Sequence, residues 1–273
     1  MLLALCLGGE RTALYRDPGY KLSSVELARF TQLVARRGMQ EPLAYLAGAR
    51  EFWSLPLAVQ PGVLIPRPET EFVVEAALRY APQCRHHGRR CRILDVGTGS
   101  GNIAIAIATS LAYASLVAID IASAALTVAQ TNAQTCGVAD RMTYIQSDVL
   151  SALHPRRARF NLLLSNPPYI AGTEWASLPE TVRRYEPRQA LDGGPDGLLF
   201  YRRLIAGGPP YMYDDGFAIV EVGDRQAGHV CRLFEQSLQW RCVEVIKDYG
   251  GVERVVVAQC TRRGAESHGS HRN

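Results

Sequence analysis

The stretch LLLSNPPYI, residues 162–170, joins an apolar run to an asparagine, two prolines and an aromatic residue. Proline donates no backbone hydrogen bond and keeps the preceding residue extended, so a strand is predicted to end at Asn166. The Asn166 side-chain oxygen and the carbonyls of Pro167 and Pro168 are then hydrogen-bond acceptors on a stiff backbone. Together with the ring of Tyr169, these acceptors are suited to hold a planar –NH2 group.

A nitrogen held in this way is activated as a nucleophile. Amide and aromatic-amine nitrogens react poorly because their lone pair is delocalised, and acceptors on both N–H bonds stabilise the positive charge that develops. Positioning supplies up to roughly 7–11 kcal/mol in well-oriented reactions. Asn166, Pro167 and Tyr169 are therefore the predicted catalytic residues. No general base is required before transfer, since the proton can leave afterwards.

A glycine-rich loop, DVGTGSGN, lies between an apolar strand pattern and a helix pattern. Gly97, Gly99 and Gly101 let the backbone turn tightly and approach a ligand closely. Taken alone, such a loop is also compatible with a turn that binds nothing. Two acids strengthen the ligand interpretation: Asp120 ends the next strand, where a carboxylate can bind ribose hydroxyls, and Asp148 ends the third strand, near the expected adenine.

The cofactor of this loop is either a dinucleotide or S-adenosylmethionine. The dinucleotide fingerprint is G-x-G-x-x-G, with a free helix N-terminus for the pyrophosphate. Here the spacing is G-x-G-x-G, and Asp95 lies just upstream. A carboxylate at that place repels a pyrophosphate but attracts the ammonium group of a methionine moiety. The pattern therefore favours S-adenosylmethionine as the methyl donor.

Strand patterns and helix patterns alternate from residue 92 onward. This alternation predicts a parallel, doubly wound α/β sheet that positions both motifs. The strand ending at Asn166 is expected beside the strand that carries the glycine loop. Two late runs, 242–248 and 254–260, are joined by a short link with two glycines, which predicts an antiparallel hairpin at the end of the sheet.

Four regions are predicted along the chain. Residues 1–47 read as a small helical domain and 48–68 as a hairpin-like connector. Residues 69–261 form the cofactor-binding domain, and the polar tail 262–273 is expected to be disordered.

Composition and charge place the chain among ordinary globular proteins. Hydrophobic residues make up 47% of the 273 residues, and no stretch approaches transmembrane length. The net charge is +4, but segment 83–92 contributes +4 and the tail +2, which leaves −2 for the rest. The seven cysteines are scattered without a CxxC pair, so neither a disulfide framework nor a metal site is predicted, and a reducing cytoplasm is expected.

The chain resembles the protein-(glutamine-N5) methyltransferases that act on peptide chain release factors. The resemblance covers about residues 10–260 and is carried by REFWSLPL, LIPRPETE, ILDVGTGSGNIAIAIA, SNPPYI, YEPRQALDGGPDGL and DYGGVERVV. It implies a Rossmann-like, seven-stranded class I methyltransferase sheet whose last strand is antiparallel. It also implies methylation of the glutamine in a Gly-Gly-Gln motif.

The resemblance also completes the predicted site. The methyl donor is expected to be bound by Asp95, Gly97, Thr98, Gly99, Ser100, Gly101, Asp120, Asp148, Val149 and Asn166. The substrate glutamine is expected to contact Asn166, Pro167, Pro168, Tyr169, Arg67 and Glu69. Family members carry a further helical segment at the N-terminus, so the substrate-recognition domain 1–47 is expected to be shortened. The expected partner is a release factor, with no nucleic acid or membrane and with a monomeric chain.

Several alternatives stay open from the sequence. An adenine-N6 methyltransferase uses a similar tip on a planar amine, although it needs a basic groove. A ribosomal protein is a second possible glutamine substrate. The Arg67 and Glu69 segment either closes over the site or simply starts a helix. The loop 185–197 is either a lid or a surface connection.

Overall fold

Seven strands form one sheet in the computed structural model, which describes residues 1–9, 11–84, 90–155 and 158–261. The strands are β1 Ala49–Phe52, β2 Leu55–Ala58, β3 Cys91–Val96, β4 Ala114–Asp120, β5 Met142–Gln146, β6 Phe160–Ser165, β7 Met212–Glu221, β8 Trp240–Lys247 and β9 Glu253–Cys260. The helices are α1 Leu2–Leu7, α2 Ser24–Gly38, α3 Leu43–Ala47, α4 Glu71–Tyr80, α5 Asn102–Ser110, α6 Ser123–Thr135, α7 Glu180–Tyr185, α8 Leu199–Gly207 and α9 Ala227–Gln236.

The order of the large sheet is β5-β4-β3-β6-β7-β9-β8. Strands β3 to β7 run parallel to one another, and β9 is antiparallel to both β7 and β8. The α/β fold with an antiparallel last strand is thus confirmed. The order reverses at β3 and β6, which pair so that Val96 faces Ser165. The glycine loop and the NPPY tip therefore leave the sheet side by side, at the switch point where open α/β sheets bind ligands.

Burial on both faces explains the apolar run of β6. All six residues of this strand are buried, as expected for a strand in a parallel sheet covered by helices. Successive side chains point to opposite faces. Leu162 and Leu164 accordingly join the core beneath α4 and α5, while Leu163 joins the core beneath α8 and α9.

Helix α5 begins directly after the glycine loop and lies deep in the first of these cores. Six of its nine residues are buried, from Ile103 to Ala108. The φ angle of Gly101 is +82°, and a Cβ atom there would lie 2.9 Å from Ile105 Cδ1 and 3.0 Å from Ala129 Cβ. Gly101 therefore permits close packing of α5 against α6.

The N-terminal helices contact the rest of the chain through two tyrosines. Ser23 caps the start of helix α2, and its hydroxyl accepts a hydrogen bond from the Glu26 amide in a reciprocal capping box. The Tyr45 hydroxyl donates to the Val63 carbonyl at 2.7 Å, and the Tyr185 hydroxyl donates to the Met39 carbonyl at 2.6 Å. The antiparallel hairpin β1–β2 occupies the start of the predicted connector. The four domain boundaries stay predictions.

One cysteine pair differs from expectation. Cys231 on α9 and Cys242 on β8 form a disulfide, with Cα atoms 5.4 Å apart. The sequence analysis did not predict this disulfide, because the two cysteines are 11 residues apart and come into contact only when α9 packs against β8.

Two predictions fall partly or wholly outside the described residues. These are the basic segment 83–92, of which 85–89 is not described, and the tail 262–273. Within the described ranges, none of the helices combines the length and the apolar character required to cross a bilayer.

Candidate active site

A cleft opens at the carboxyl edge of β3, β4 and β6. Its empty volume is about 1140 Å³, part of it open to solvent. The wall combines the glycine loop, the NPPY tip, the segment 62–70 and the start of α8. The predicted site residues found in it are Arg67, Gly97, Thr98, Gly99, Ser100, Asp120, Asp148, Val149, Asn166, Pro167 and Pro168. Asp95, Gly101, Glu69 and Tyr169 are not in this wall.

Backbone hydrogen bonds anchor the glycine loop to strand β4 at the edge of the cleft. The amides of Gly97 and Thr98 both donate to the Ile119 carbonyl of β4, at 2.9 and 3.0 Å. Gly97 and Gly99 have φ angles of +74° and +55°, which side chains rarely adopt. A Cβ atom at Gly97 would lie 4.0 Å from the Asn166 carbonyl oxygen, so the loop and the NPPY tip are immediate neighbours.

Asp95 lies behind the loop rather than in the cleft. Its Oδ2 accepts a hydrogen bond from Thr98 Oγ1 at 2.7 Å. Complete burial raises the pKa of Asp95 to about 7, and the bond from Thr98 opposes this shift. The contact of Asp95 with a ligand ammonium stays a prediction, while the contact that the structure contains is with the loop.

Two polar atoms near the loop lack partners. Asp95 Oδ1 and Ser100 Oγ are sealed from solvent, and neither makes a hydrogen bond within the described part of the chain. Buried polar groups are ordinarily satisfied, so such atoms call for an explanation. Ser100 also lies in the cleft wall, where a polar ligand group would satisfy it. The loop therefore fits a polar ligand.

Asp120 connects the loop to the end of β4. Its Oδ2 accepts from the Gly99 amide and its Oδ1 from the Ala122 amide, both at 2.9 Å. Burial raises the pKa of Asp120, and these amides oppose the rise. Two backbone bonds thus hold the carboxylate in the cleft wall, where it can accept hydrogen bonds from a diol.

At the far end of the cleft, helix α8 contributes an ion pair and an aromatic ring that the sequence did not indicate. Asp148 is half exposed and pairs with Arg203 of α8 through bonds of 2.8 and 2.9 Å, which lower the pKa of the Asp148 carboxyl. Val149 has a φ of +52°, a strained angle for a β-branched residue. Phe200 of α8 lines the cleft here, and Arg203 lies over its ring at 5.8 Å. Phe200 gives this end an aromatic wall.

The NPPY tip is held by residues distant in sequence. Asn166 Nδ2 donates to Thr70 Oγ1 at 3.0 Å, and Thr70 Oγ1 donates to Glu221 Oε2 at 2.6 Å. The Tyr169 hydroxyl makes a longer bond, 3.4 Å, to Glu221 Oε1. The Tyr169 carbonyl accepts from Gln226 Nε2 at 2.9 Å. Thr70, Glu221 and Gln226 were not predicted as site residues, since they come to the tip from the starts of α4 and α9 and from the end of β7.

Tyr169 lines a smaller pocket that adjoins the cleft. This pocket has an empty volume of about 270 Å³ and shares Leu64, Arg67, Asn166, Pro167 and Ala190 with the larger wall. Burial raises the pKa of the Tyr169 hydroxyl far above its usual value, so the group remains protonated. A short flat side chain could enter here beside Asn166.

An ion pair joins segment 67–70 to loop 185–197, the two segments whose roles the sequence left open. Arg67 lines both pockets and pairs with Glu186 at 2.5 Å, and Glu186 also accepts from the Ile65 amide. This pair ties the Arg-Pro-Glu-Thr segment to loop 185–197. Pro187, Gln189 and Ala190 of that loop lie in the cleft wall. The loop is thus part of the site, whereas Glu69 lies in neither pocket wall.

The fold and this cleft define the class of protein. A sheet of this order, with β9 antiparallel between β7 and β8 and with a glycine loop at the switch point, is that of a class I methyltransferase. Residues 81–183 match the family model of the methyltransferase small domain, and residues 1–48 match that of the PrmC N-terminal domain.

Comparison with similar proteins assigns the chain to one family of methyltransferases. The chain is 41% identical over 255 residues to a release factor glutamine methyltransferase of Geobacter sulfurreducens, covering 93% of this chain and 86% of the relative. It is 43% identical over 238 residues to the enzyme of that name from Moorella thermoacetica, covering 87% and 82%. A methyltransferase structure from Pyrococcus furiosus shares the fold, with a TM-score of 0.55 at 13% identity over 86% of this chain and 98% of that one. The chain belongs to the release factor glutamine methyltransferase family.

Proposed function

We propose that this chain transfers a methyl group from S-adenosylmethionine to the side-chain nitrogen N5 of the glutamine in the Gly-Gly-Gln motif of peptide chain release factors. The observation that carries the proposal is the Asn166 amide: its Nδ2 donates to Thr70, its Oδ1 accepts no hydrogen bond from the described residues, and its backbone carbonyl lies beside the glycine loop. The names of the relatives support the release factor as substrate.

The cleft residues fit the methyl donor. Asp120 would accept the ribose hydroxyls, Ser100 would bond a polar group of the methionine part, and Phe200 with Val149 would contact the adenine. When bound, the donor supplies an electrophilic methyl on a sulfonium. Gly97 and Gly99 bring no side chains into the space between the loop and the NPPY tip, so the donor can approach the tip.

The residues of the tip would act on the substrate amide. Asn166 Oδ1 and a proline carbonyl would accept its two N–H bonds and direct the nitrogen toward the methyl group. These acceptors also stabilise the positive charge that develops on nitrogen during transfer. The N–C bond forms as the S–C bond breaks, the electron pair stays on sulfur, and the extra proton leaves to water. Tyr169 and the small pocket would exclude bulk water from the amide.

The surroundings of the site suggest how the partner is held. The helical region 1–47 would grip the release factor next to loop 185–197, which it touches through Tyr185 and Met39. We further propose that the chain acts as a monomer in the cytoplasm, where release factors work, and that it needs no nucleic acid contact.

Replacing Asp120 with alanine is expected to weaken binding of S-adenosylmethionine by about 10- to 100-fold, because hydrogen bonds to a charged group contribute about 1.5–3 kcal/mol. Isothermal titration calorimetry would measure the affinity. Asp140→Ala removes an exposed carboxylate outside the cleft and serves as the control. An unchanged affinity for the Asp120 variant would place the ribose elsewhere.

Mass spectrometry tests the whole proposal. The chain would be incubated with S-adenosylmethionine and an unmethylated release factor, and the peptides would be sequenced. We expect one added methyl on the Gly-Gly-Gln glutamine and none on a release factor in which that glutamine is alanine. If the release factor stayed unmodified under conditions of confirmed cofactor binding, the proposed substrate would be wrong. Ribosomal protein and adenine substrates would then be assayed.

A further inference from the structure

The hydrogen bonds behind Asn166 have a definite direction. An ionised carboxylate only accepts hydrogen bonds, and a threonine hydroxyl has a single proton to donate. When Glu221 is ionised, Thr70 gives that proton to the carboxylate, which lies 2.6 Å away. Its oxygen can then only accept from Asn166. In that state the Asn166 side chain presents its Nδ2 to Thr70, as it does in the structure, because the reverse orientation would set two acceptors against each other.

The surroundings keep water from relaxing this arrangement. Thr70 is 1% exposed and Glu221 is 2% exposed. The Tyr201 hydroxyl donates to the Glu221 backbone carbonyl at 2.8 Å, which fixes the end of β7 where the carboxylate begins. Asn166 itself borders both pockets, and its Oδ1 is not among the sealed atoms. The buried contact of the Asn166 amide, from Nδ2 to Thr70, is therefore fixed, and Oδ1 on the opposite side is available to a ligand.

We propose that Thr70 and Glu221 are positioning residues that hold the Asn166 amide with its oxygen toward the substrate nitrogen. This inference rests on the proposed function, in which the acceptor is a primary amide. A flipped Asn166 would point its own N–H donors at the N–H donors of the substrate. The hydrogen-bonded pair behind the tip thus selects the orientation that can activate the nitrogen.

Substitution of the Thr70 hydroxyl separates positioning from packing. Thr70→Val keeps the shape but removes the donor and the acceptor, whereas Thr70→Ser keeps both. We expect kcat to fall about tenfold in the valine variant, the factor that one ordinary hydrogen bond supplies, with little change in the serine variant. The affinity for S-adenosylmethionine should stay within about twofold in both, since the bonds of Thr70 go to the tip and to β7. Thr127→Val, at an exposed position of α6, is the matched control.

These kinetics can contradict the proposal in two ways. Full kcat in Thr70→Val would show that the hydroxyl does not orient Asn166. An equal loss in the serine and valine variants would show that the side-chain volume matters and the hydrogen bonds do not.

A second measurement needs no substrate and is made on the wild-type chain, with a variant used only for assignment. In the ¹⁵N-labelled wild-type chain, the Asn166 side-chain NH2 signal is assigned by its absence from Asn166→Asp. One of its protons is expected to exchange with solvent at least about tenfold more slowly than those of exposed Gln134, because it is bonded to buried Thr70. Exchange as fast as in Gln134 would overturn the proposal. A protected Asn166 proton in a chain that methylates no release factor would support positioning and contradict the proposed function.

Discussion

Asn166→Ala is expected to lower kcat for methyl transfer by about 10²- to 10³-fold, the usual cost of removing one preorganised group that stabilises transition-state charge. The variant loses the Oδ1 acceptor but leaves the glycine loop and Asp120 in place. The affinity for S-adenosylmethionine should therefore be nearly unchanged. Steady-state kinetics with an unmethylated release factor and isothermal titration with the cofactor would measure the two quantities separately.

The control for this experiment is Gln134→Ala, which removes an exposed amide from α6. It should leave both quantities at their wild-type values. If Asn166→Ala instead lost cofactor affinity while remaining folded, then Asn166 would serve the cofactor, and its role as acceptor for the substrate amide would be wrong.

Glu221→Gln is expected to change how the stability of the chain depends on pH. Burial raises the pKa of Glu221 from 4.5 to about 7, while the bonds from Thr70 and Tyr169 oppose the rise. The charged Glu69 nearby raises this pKa further, and Arg254 lowers it. The folded chain therefore binds this proton more tightly than the unfolded chain does.

The sign of the effect follows from linkage. A raised pKa stabilises the fold below the unfolded pKa of 4.5, and this contribution is lost as the pH rises through about 7. The full change is about 3 kcal/mol, since one pKa unit corresponds to about 1.4 kcal/mol. Glutamine carries no proton to lose. The variant should therefore match the wild type near pH ~3.5, below the unfolded pKa, and exceed its free energy of unfolding by about 3 kcal/mol near pH ~8.5.

Urea denaturation at several pH values would measure this difference. The exposed carboxyl of Glu235 provides the comparison, and Glu235→Gln should follow the wild-type curve throughout. Parallel curves for wild type and Glu221→Gln would mean that Glu221 is not held in a desolvated site. The hydrogen bonds of Glu221 to Thr70 and Tyr169 would then offset the cost of burying its carboxylate.

Much of the fold could be predicted because its signals are local. The apolar runs of β3, β4 and β6 are short and alternate with helix patterns, and a glycine follows β3 while prolines follow β6. The parallel sheet and the antiparallel pair β8–β9 follow from those patterns. The adjacency of the glycine loop and Asn166 could also be predicted, since the carboxyl ends of neighbouring parallel strands share one edge.

Individual contacts could not be predicted in the same way. The contact of Asp95 with the ligand ammonium stays a prediction, and the structure adds a contact that the sequence did not indicate, the hydrogen bond from Thr98 to Asp95 Oδ2. Asp148 was expected near the adenine, and it lies in the cleft wall with its carboxylate held by Arg203. The aromatic residue at this end is Phe200, which comes from a helix some fifty residues further along the chain. Side-chain partners of this kind depend on how α8 packs across the sheet.

The sequence by itself determined the class of chemistry: a glycine loop, an acid after the second strand and an acceptor-rich tip after the fourth, all on one edge of an α/β sheet. Only the tertiary structure decided which way the Asn166 amide faces. That depends on Thr70 and Glu221, which are 151 residues apart and meet because the start of α4 packs against the end of β7. Local patterns encode where a strand ends, whereas the direction of a buried hydrogen bond is decided only when distant donors and acceptors are packed together without water.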